Sequence, residues 1–297
     1  MGRIGLAITA ALTLIIGVTM LVYPSAAQWV SQYNQSKVTE NYSRQIDDTD
    51  GGPEQQILAA QSYNHALSAG ALVGADQRIP TSEERPSDDM QSIIPYGKQL
   101  MADDYGLMAR IRIPSINVDL PVYHGTSDQI LLQGAGHLEG TSLPVGGSGT
   151  RSVITGHSGL AQARMFTDLD RVQSGDIFSV ETFGEVFTYR VFEKIVVDPS
   201  DSESIRAIEG RDLATLITCT PLGLNTHRIV LTGERIYPTE EETAATMVPV
   251  GPGFPWWAVI WGGAVIIIIS GAIVLTREPK KKGGDVILIH EGGAQIE

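Results

Sequence analysis

The chain has 297 residues, 42% of them hydrophobic, a formal net charge of −13 and one cysteine. Phosphate binding needs a basic face, so this balance excludes nucleic acid as a partner and argues against an anionic membrane surface as ligand of the part outside the bilayer. A single thiol excludes an intramolecular disulfide, and the apolar content suffices for one domain of ordinary size with its own core.

Ile4 to Tyr23 is a run of 20 uncharged, mostly apolar residues preceded only by Met1-Gly2-Arg3. As a helix it is long enough to cross a hydrocarbon core of about 30 Å. Segment 1–27 therefore reads as a membrane span or uncleaved signal anchor. A cleaved signal peptide is the competing reading, because Ser25-Ala26-Ala27 offers small residues just after the apolar run. From 28 to 106 the sequence is polar and weakly patterned. Ala59 to Leu72 has helical spacing, but Gly51-Gly52-Pro53, Pro80, Pro86 and Asp88-Asp89 interrupt longer order, so one or two helices and a connector are expected.

At Leu107 the period changes to two. Leu107, Ala109, Ile111 and Ile113 alternate with Met108, Arg110 and Arg112, the pattern of a strand with one buried face. Val118 to Val122, Ser152 to Thr155, Asp176 to Val180, Glu185 to Val197, Leu213 to Cys219 and Arg228 to Ile236 add short runs separated by turn residues. This spacing predicts an all-β barrel or sandwich over 107–237. Short helices are expected at Ser127 to Gln133, with Thr126 or Ser127 as N-cap, and at Leu160 to Leu169.

Other chemistry along this stretch is thin. His124 and His137 have no second cysteine or carboxylate cluster at ligand spacing, so no structural zinc is expected. Gly134-Ala-Gly136 and Gly146-Gly147-Ser148-Gly149 lack the strand-to-helix context and lysine of a phosphate loop and read as turns. Asp198-Pro-Ser-Asp-Ser-Glu203 reads as a solvated acidic loop between strands, and 238–255, with Glu240-Glu241-Glu242 and four prolines, as a spacer.

Trp256 to Leu275 is a second uncharged run, with Trp256, Trp257 and Trp261 near one end as an interfacial belt requires. Arg277, Lys280, Lys281 and Lys282 follow it. The positive-inside rule puts this basic tail, 277–297, in the cytoplasm, and Arg3 agrees for the first span. Two spans with both ends inside place everything between them outside the cell.

That location sharpens the meaning of the lone cysteine, because exported proteins generally use cysteine in disulfide pairs. Cys219 ends the apolar, β-branched run from Ala214, and Arg228 begins the next such run; a turn-rich loop, Thr220 to His227, joins them. As neighbouring strands they would bring Cys219 and Arg228 to one rim of a sheet, where a guanidinium can steady the oxyanion formed when a thiolate attacks a carbonyl. The alternative is a cysteine serving as a small apolar filler. A nucleophilic thiol needs a base or cation beside it, since its ordinary pKa of about 8.5 leaves little thiolate at neutral pH. Among His65, His124, His137, His157, His227 and His290, two stand out. His157 sits in the glycine-flanked turn Gly156-His-Ser-Gly159 after a short strand, and His227 directly precedes Arg228. Residue physics alone leaves the choice open.

Thr155-Gly-His157, Thr215-Leu-Ile-Thr-Cys219-Thr-Pro221 and Asn225-Thr-His-Arg228 together resemble the sortases, cysteine transpeptidases of Gram-positive bacterial surfaces. Ile113-Pro-Ser-Ile116, Leu120-Pro-Val-Tyr-His-Gly125, Gly136-His-Leu-Glu-Gly-Thr-Ser-Leu-Pro144 and Met165-Phe-Thr-Asp-Leu169 extend the likeness toward their pilin-polymerising class C branch, over roughly Ala109 to Ile236. The resemblance implies a mainly β fold, a closed eight-stranded sortase-type barrel with short helical insertions, an N-terminal helical segment and two flanking transmembrane helices. It assigns the catalytic histidine, cysteine and arginine to His157, Cys219 and Arg228, and so favours His157 over His227. It further implies a thioester acyl-enzyme formed on a Leu-Pro-X-Thr-Gly-like sorting signal and resolved by a pilin lysine amine, with no metal or organic cofactor. A peptidoglycan amine as acceptor, or a barrel that binds peptides without cutting them, are the other functional classes.

Two departures from the family pattern are visible. No Asp-Pro-aromatic motif precedes the barrel, Ile94-Pro95-Tyr96 being its nearest echo, so no residues are assigned to an active-site lid. After the histidine, Ser158 stands where class C sortases usually carry arginine.

Overall fold

The computed structural model describes residues 2–47, 52–68, 95–239, 243 and 251–277. The chain forms two compact units, one gathering the stretches up to Tyr23 and from Trp256 onward, the other running Pro24–Pro255. The first unit holds the apolar start of helix α1 (Arg3–Asp47) and helix α4 (Trp256–Thr276). Both are long and apolar enough to cross a membrane, and the Trp261 indole N–H donates to the Thr19 hydroxyl at 2.9 Å.

The second unit is a closed barrel of eight strands: β1 (Leu107–Ile113), β2 (Val118–His124), β3 (Ala135–His137), β4 (Thr150–Thr155), β5 (Ile177–Thr182), β6 (Glu185–Val197), β7 (Asp212–Thr220) and β8 (His227–Ile236). Around the barrel the order is β1-β2-β3-β4-β7-β8-β6-β5. β2 with β3 and β4 with β7 are parallel, and the remaining pairs antiparallel. Closure leaves no open sheet edge, and the buried side chains, among them Ile111, Val122, Ile154, Phe178, Tyr189, Leu216 and Leu231, fill a continuous core.

The expected strands are present with ends moved by a few residues, and the structure adds β3, whose three residues lie between Gly134 and Leu138. Gly134-Ala-Gly136 is therefore the approach to a strand and part of it rather than a turn; Gly134 closes the preceding helical turn by donating to the Ile130 carbonyl at 3.2 Å. That helix, α3 (Asp128–Leu131), is shorter than expected but capped as expected, by the Ser127 hydroxyl accepting from the Ile130 N–H. The helix expected at Leu160 to Leu169 does not form. Met165 takes a left-handed backbone, and tight turns join the Phe166 N–H to the His157 carbonyl and the Leu169 N–H to that of Phe166. Only Leu169–Arg171 completes a short 3₁₀ turn.

β1 corrects the expectation of one buried face, since all seven of its residues are buried. Arg110 makes a bidentate pair with Asp119 of β2, at 2.7 and 2.6 Å, and Arg112 pairs with Glu181 of β5 at 2.9 Å. The later part of α1 covers part of this sheet: the Tyr42 hydroxyl donates to the Met108 carbonyl at 2.9 Å and accepts from the Phe183 N–H at 2.8 Å. Further back along the helix, Gln35 and Gln28 donate to the Gln133 and Ala161 carbonyls. Helix α2 (Gly52–Ser68) starts earlier than the Ala59 expected, and residues 69–72 lie outside the described residues. Its Asn64 exchanges two hydrogen bonds with the Leu143 backbone.

Most of the 238–255 spacer and Lys280, Lys281 and Lys282 also lie outside the described residues. Pro95 and Tyr96 are described. Tyr96 opens a 3₁₀ turn, and its hydroxyl lies 3.0 Å from His137 Nδ1 and 3.1 Å from the Gly125 N–H that donates to it.

Candidate active site

β4 and β7 run parallel, in register from Thr150↔Asp212 to Thr155↔Ile217, so both end at the same rim. The ladder extends one step further through the Gly156 N–H, which donates to the Ile217 carbonyl at 3.0 Å. Only glycine fits there: a Cβ on Gly156 would come within 2.6 Å of the Phe166 ring. His157 follows, half-buried, its carbonyl accepting from the Phe166 N–H at 2.9 Å. The histidine is thus carried at the end of a buried strand by a turn folded back over Phe166.

β7 and β8 are antiparallel neighbours, with Cys219 directly opposite Arg228 and Thr220 opposite His227. Cys219 is a free thiol and half-buried, neither sealed in the core nor fully exposed. Arg228 is also half-buried, and its Nη1 donates to the Asn225 and His227 carbonyls at 3.0 Å each. These bonds fold the β7–β8 loop against its own guanidinium. His227, the rival histidine, is exposed, with its Nδ1 2.9 Å from the Thr226 hydroxyl.

Two hydroxyls join the histidine turn to the cysteine strand. Ser158 Oγ donates to the Cys219 carbonyl at 2.6 Å, and Thr218 Oγ1 donates to the Gly156 carbonyl at 2.7 Å. Sequence reasoning noticed Ser158 only as a departure from a family pattern and gave Thr218 no role of its own. Side chains that bond across 61 and 62 residues leave no local periodicity to detect. On the far side of Arg228, β6 ends with Val197 opposite it and leads into the acidic loop. There the N–H and hydroxyl of Ser200 hold the Asp198 carboxyl below its ordinary range, and the charges of His227 and Arg228 act in the same direction. Among the described residues no group of three or more His, Cys, Asp or Glu side chains could hold a metal ion.

This geometry joins a half-buried thiol, a guanidinium across one strand pair and an imidazole-bearing turn across the other. It can serve covalent catalysis on a carbonyl group.

Residues 111–236 match the model of the Sortase domain. Among solved structures, sortase C-1 from Actinomyces oris is 42% identical with a TM-score of 0.53, over 63% of this chain and 100% of that one. The chain belongs to the sortase family. The pilus-related sortase C of Group B Streptococcus is 32% identical to this sortase with a TM-score of 0.55, over 67% of this chain and 97% of that one. Sortase A of Bacillus anthracis is 28% identical over 134 residues, which cover 45% of this sortase and 62% of that relative. The chain spans 50–62% of the length of the curated relatives it matches.

Proposed function

We propose that this sortase is a membrane-anchored cysteine transpeptidase of the class C, pilin-polymerising kind, with His157, Cys219 and Arg228 as its catalytic residues. The Cys219 thiolate attacks the carbonyl of the threonine in a Leu-Pro-X-Thr-Gly-like sorting signal. The Thr–Gly bond breaks, His157 gives a proton to the departing glycine amine, and a thioester remains on Cys219. A lysine amine of a pilin subunit then attacks the thioester, His157 takes up the proton released, and an isopeptide bond forms as the thiolate leaves. Arg228 donates to the oxygen that becomes negative in each tetrahedral intermediate. No step requires a metal or organic cofactor.

The observation that carries this reading is the register of β7 with β8, which sets Arg228 directly across from a half-buried thiol. The pilin acceptor is supported by the likeness to the sortase C structures. A peptidoglycan amine as acceptor is the second reading, favoured by the likeness to curated relatives named Sortase A. The domain plan completes the proposal. Residues 107–237 form the catalytic barrel outside the plasma membrane, 28–106 a helical and connecting region before it, and 238–255 a spacer. Residues 1–27 and 256–276 are the anchors, and both ends are cytoplasmic.

The test uses the full chain in detergent micelles with a quenched sorting-signal peptide. Mass spectrometry is expected to find an acyl adduct on Cys219, and Cys219→Ala abolishes both the adduct and peptide cleavage. Cleavage that survives Cys219→Ala overturns the reading. Adding a pilin subunit is expected to give a ladder of covalent oligomers, whereas transfer only to a peptidoglycan amine supports the second reading.

A further inference from the structure

We infer that Ser158 is a positioning residue of this active site, acting through the backbone of Cys219 to set where the thiol stands relative to His157; the inference rests on the catalytic reading above. The parallel ladder of β4 and β7 ends at Gly156 and Ile217, before either His157 or Cys219 is reached. Past that point two hydroxyl bonds take its place, and they are crossed. Ser158, the residue after His157, donates to the carbonyl of Cys219, and Thr218, the residue before Cys219, donates to the carbonyl of Gly156. His157 and Cys219 therefore lie inside one bracket, each with a neighbour fastened to the other's strand.

At 2.6 and 2.7 Å both are close hydrogen bonds by hydroxyl standards. They differ in setting. Thr218 is buried, whereas Ser158 is half-buried on the turn that carries the histidine. Losing the Ser158 hydroxyl leaves the core and both strands intact but frees the end of the turn, and His157 with it. A short side chain does this work because the gap is spanned by a single hydroxyl. Catalysis depends on reacting groups held to within a fraction of an ångström, so a loosened turn reduces the rate of acylation more than the binding of peptide.

The experiment compares the full chain in micelles with Ser158→Ala and Ser158→Thr. Two measurements are made: cleavage kinetics on the sorting-signal peptide, and the pH dependence of Cys219 alkylation by iodoacetamide, which reports the thiolate. Ser158→Ala is expected to lower kcat about tenfold with KM unchanged within about twofold. It also changes the alkylation profile from that of the wild type, and Ser158→Thr restores both. Alanine with wild-type kcat and an unshifted profile overturns the inference, as does threonine no better than alanine. A fall in thermal stability with kcat and profile unchanged also overturns it, since the bond would then be structural only. Failure of the underlying reading shows in a different sample: if His157→Ala leaves both peptide cleavage and Cys219 alkylation as in the wild type, the catalytic pair itself is wrong and the inference falls with it.

Discussion

Cys219 and Arg228 illustrate how a strand register does the work of a motif. Antiparallel pairing sets the two residues opposite each other, and on such a pair opposing side chains rise from the same face only about 5 Å apart at their bases. A guanidinium brought there by backbone register needs no flexible reach, which is why lysine is a poor substitute for its planar fork. Removing one donor to a developing oxyanion costs about a hundred- to a thousandfold in rate. Arg228→Ala is therefore expected to lower kcat by that factor in the peptide-cleavage assay, and wild-type turnover would remove arginine from the mechanism. The pairing of Cys219 with Arg228 was legible in the sequence, because one ends an apolar run, the other begins the next, and turn residues join them. The choice of His157 over His227 came from the resemblance. The structure separates the two physically, with His157 half-buried on a turn tied to β7 and His227 exposed at the end of the β7–β8 pair. Ser158 and Thr218 escaped notice because a hydroxyl's partner is a backbone carbonyl that any residue could supply.

At the scale of elements, β1 shows where periodicity stops being informative. Its alternating Arg110 and Arg112 read as a solvated face, yet both are buried, with side chains 10% and 8% exposed. What allows this is the opposing charge carried by Asp119 and Glu181 on the two flanking strands, which no window along β1 contains. β3 was invisible for the opposite reason: three residues are too few to show a period. The helix expected at Leu160 to Leu169 had the right spacing, but the chain folds instead into turns that bring buried Phe166 under the histidine turn. Burying the arginines has a measurable consequence. Asp119 is the 3% exposed partner of Arg110 and lies 4.0 Å from Arg112 as well, so its loss leaves two guanidinium groups short of counter-charge in a region closed to water. Breaking such a buried pair from one side costs roughly 3–5 kcal/mol. Asp119→Ala is expected to lower the urea midpoint of the barrel accordingly, read by near-ultraviolet circular dichroism. A loss below about 1 kcal/mol, the scale of an exposed pair, would show that water reaches the cluster.

Across the whole molecule, the proposed chemistry and the stability of the fold draw on different histidines. His157 is the one proposed for catalysis, while His137 is fully buried, its Nε2 donating to the Ser142 carbonyl at 2.9 Å and its Nδ1 facing the Tyr96 hydroxyl at 3.0 Å. The Thr141 hydroxyl and, further off, His124 complete its polar surroundings, and no carboxylate pairs with it among its described contacts. Burial therefore pulls its pKa from 6.5 down to about 4. In the unfolded chain the ring takes up a proton as pH drops through 6.5, but in the fold it refuses one until about 4. Unfolding consequently binds a proton inside that window, so stability falls as pH falls through it and is flat with respect to this residue above it. At 1.36 kcal/mol per pKa unit, the whole shift amounts to about 3 kcal/mol of stability present at neutral pH and lost by about pH 4. Because His137 joins Tyr96, ahead of the barrel, to β3 within it, acid is expected to loosen that attachment first. Urea unfolding from pH 7 to pH 4 should show the decline, and His137→Gln, which keeps a donor and an acceptor but does not titrate, should flatten it over the same range. Equal slopes for the two proteins would mean that the acid sensitivity of the fold resides elsewhere.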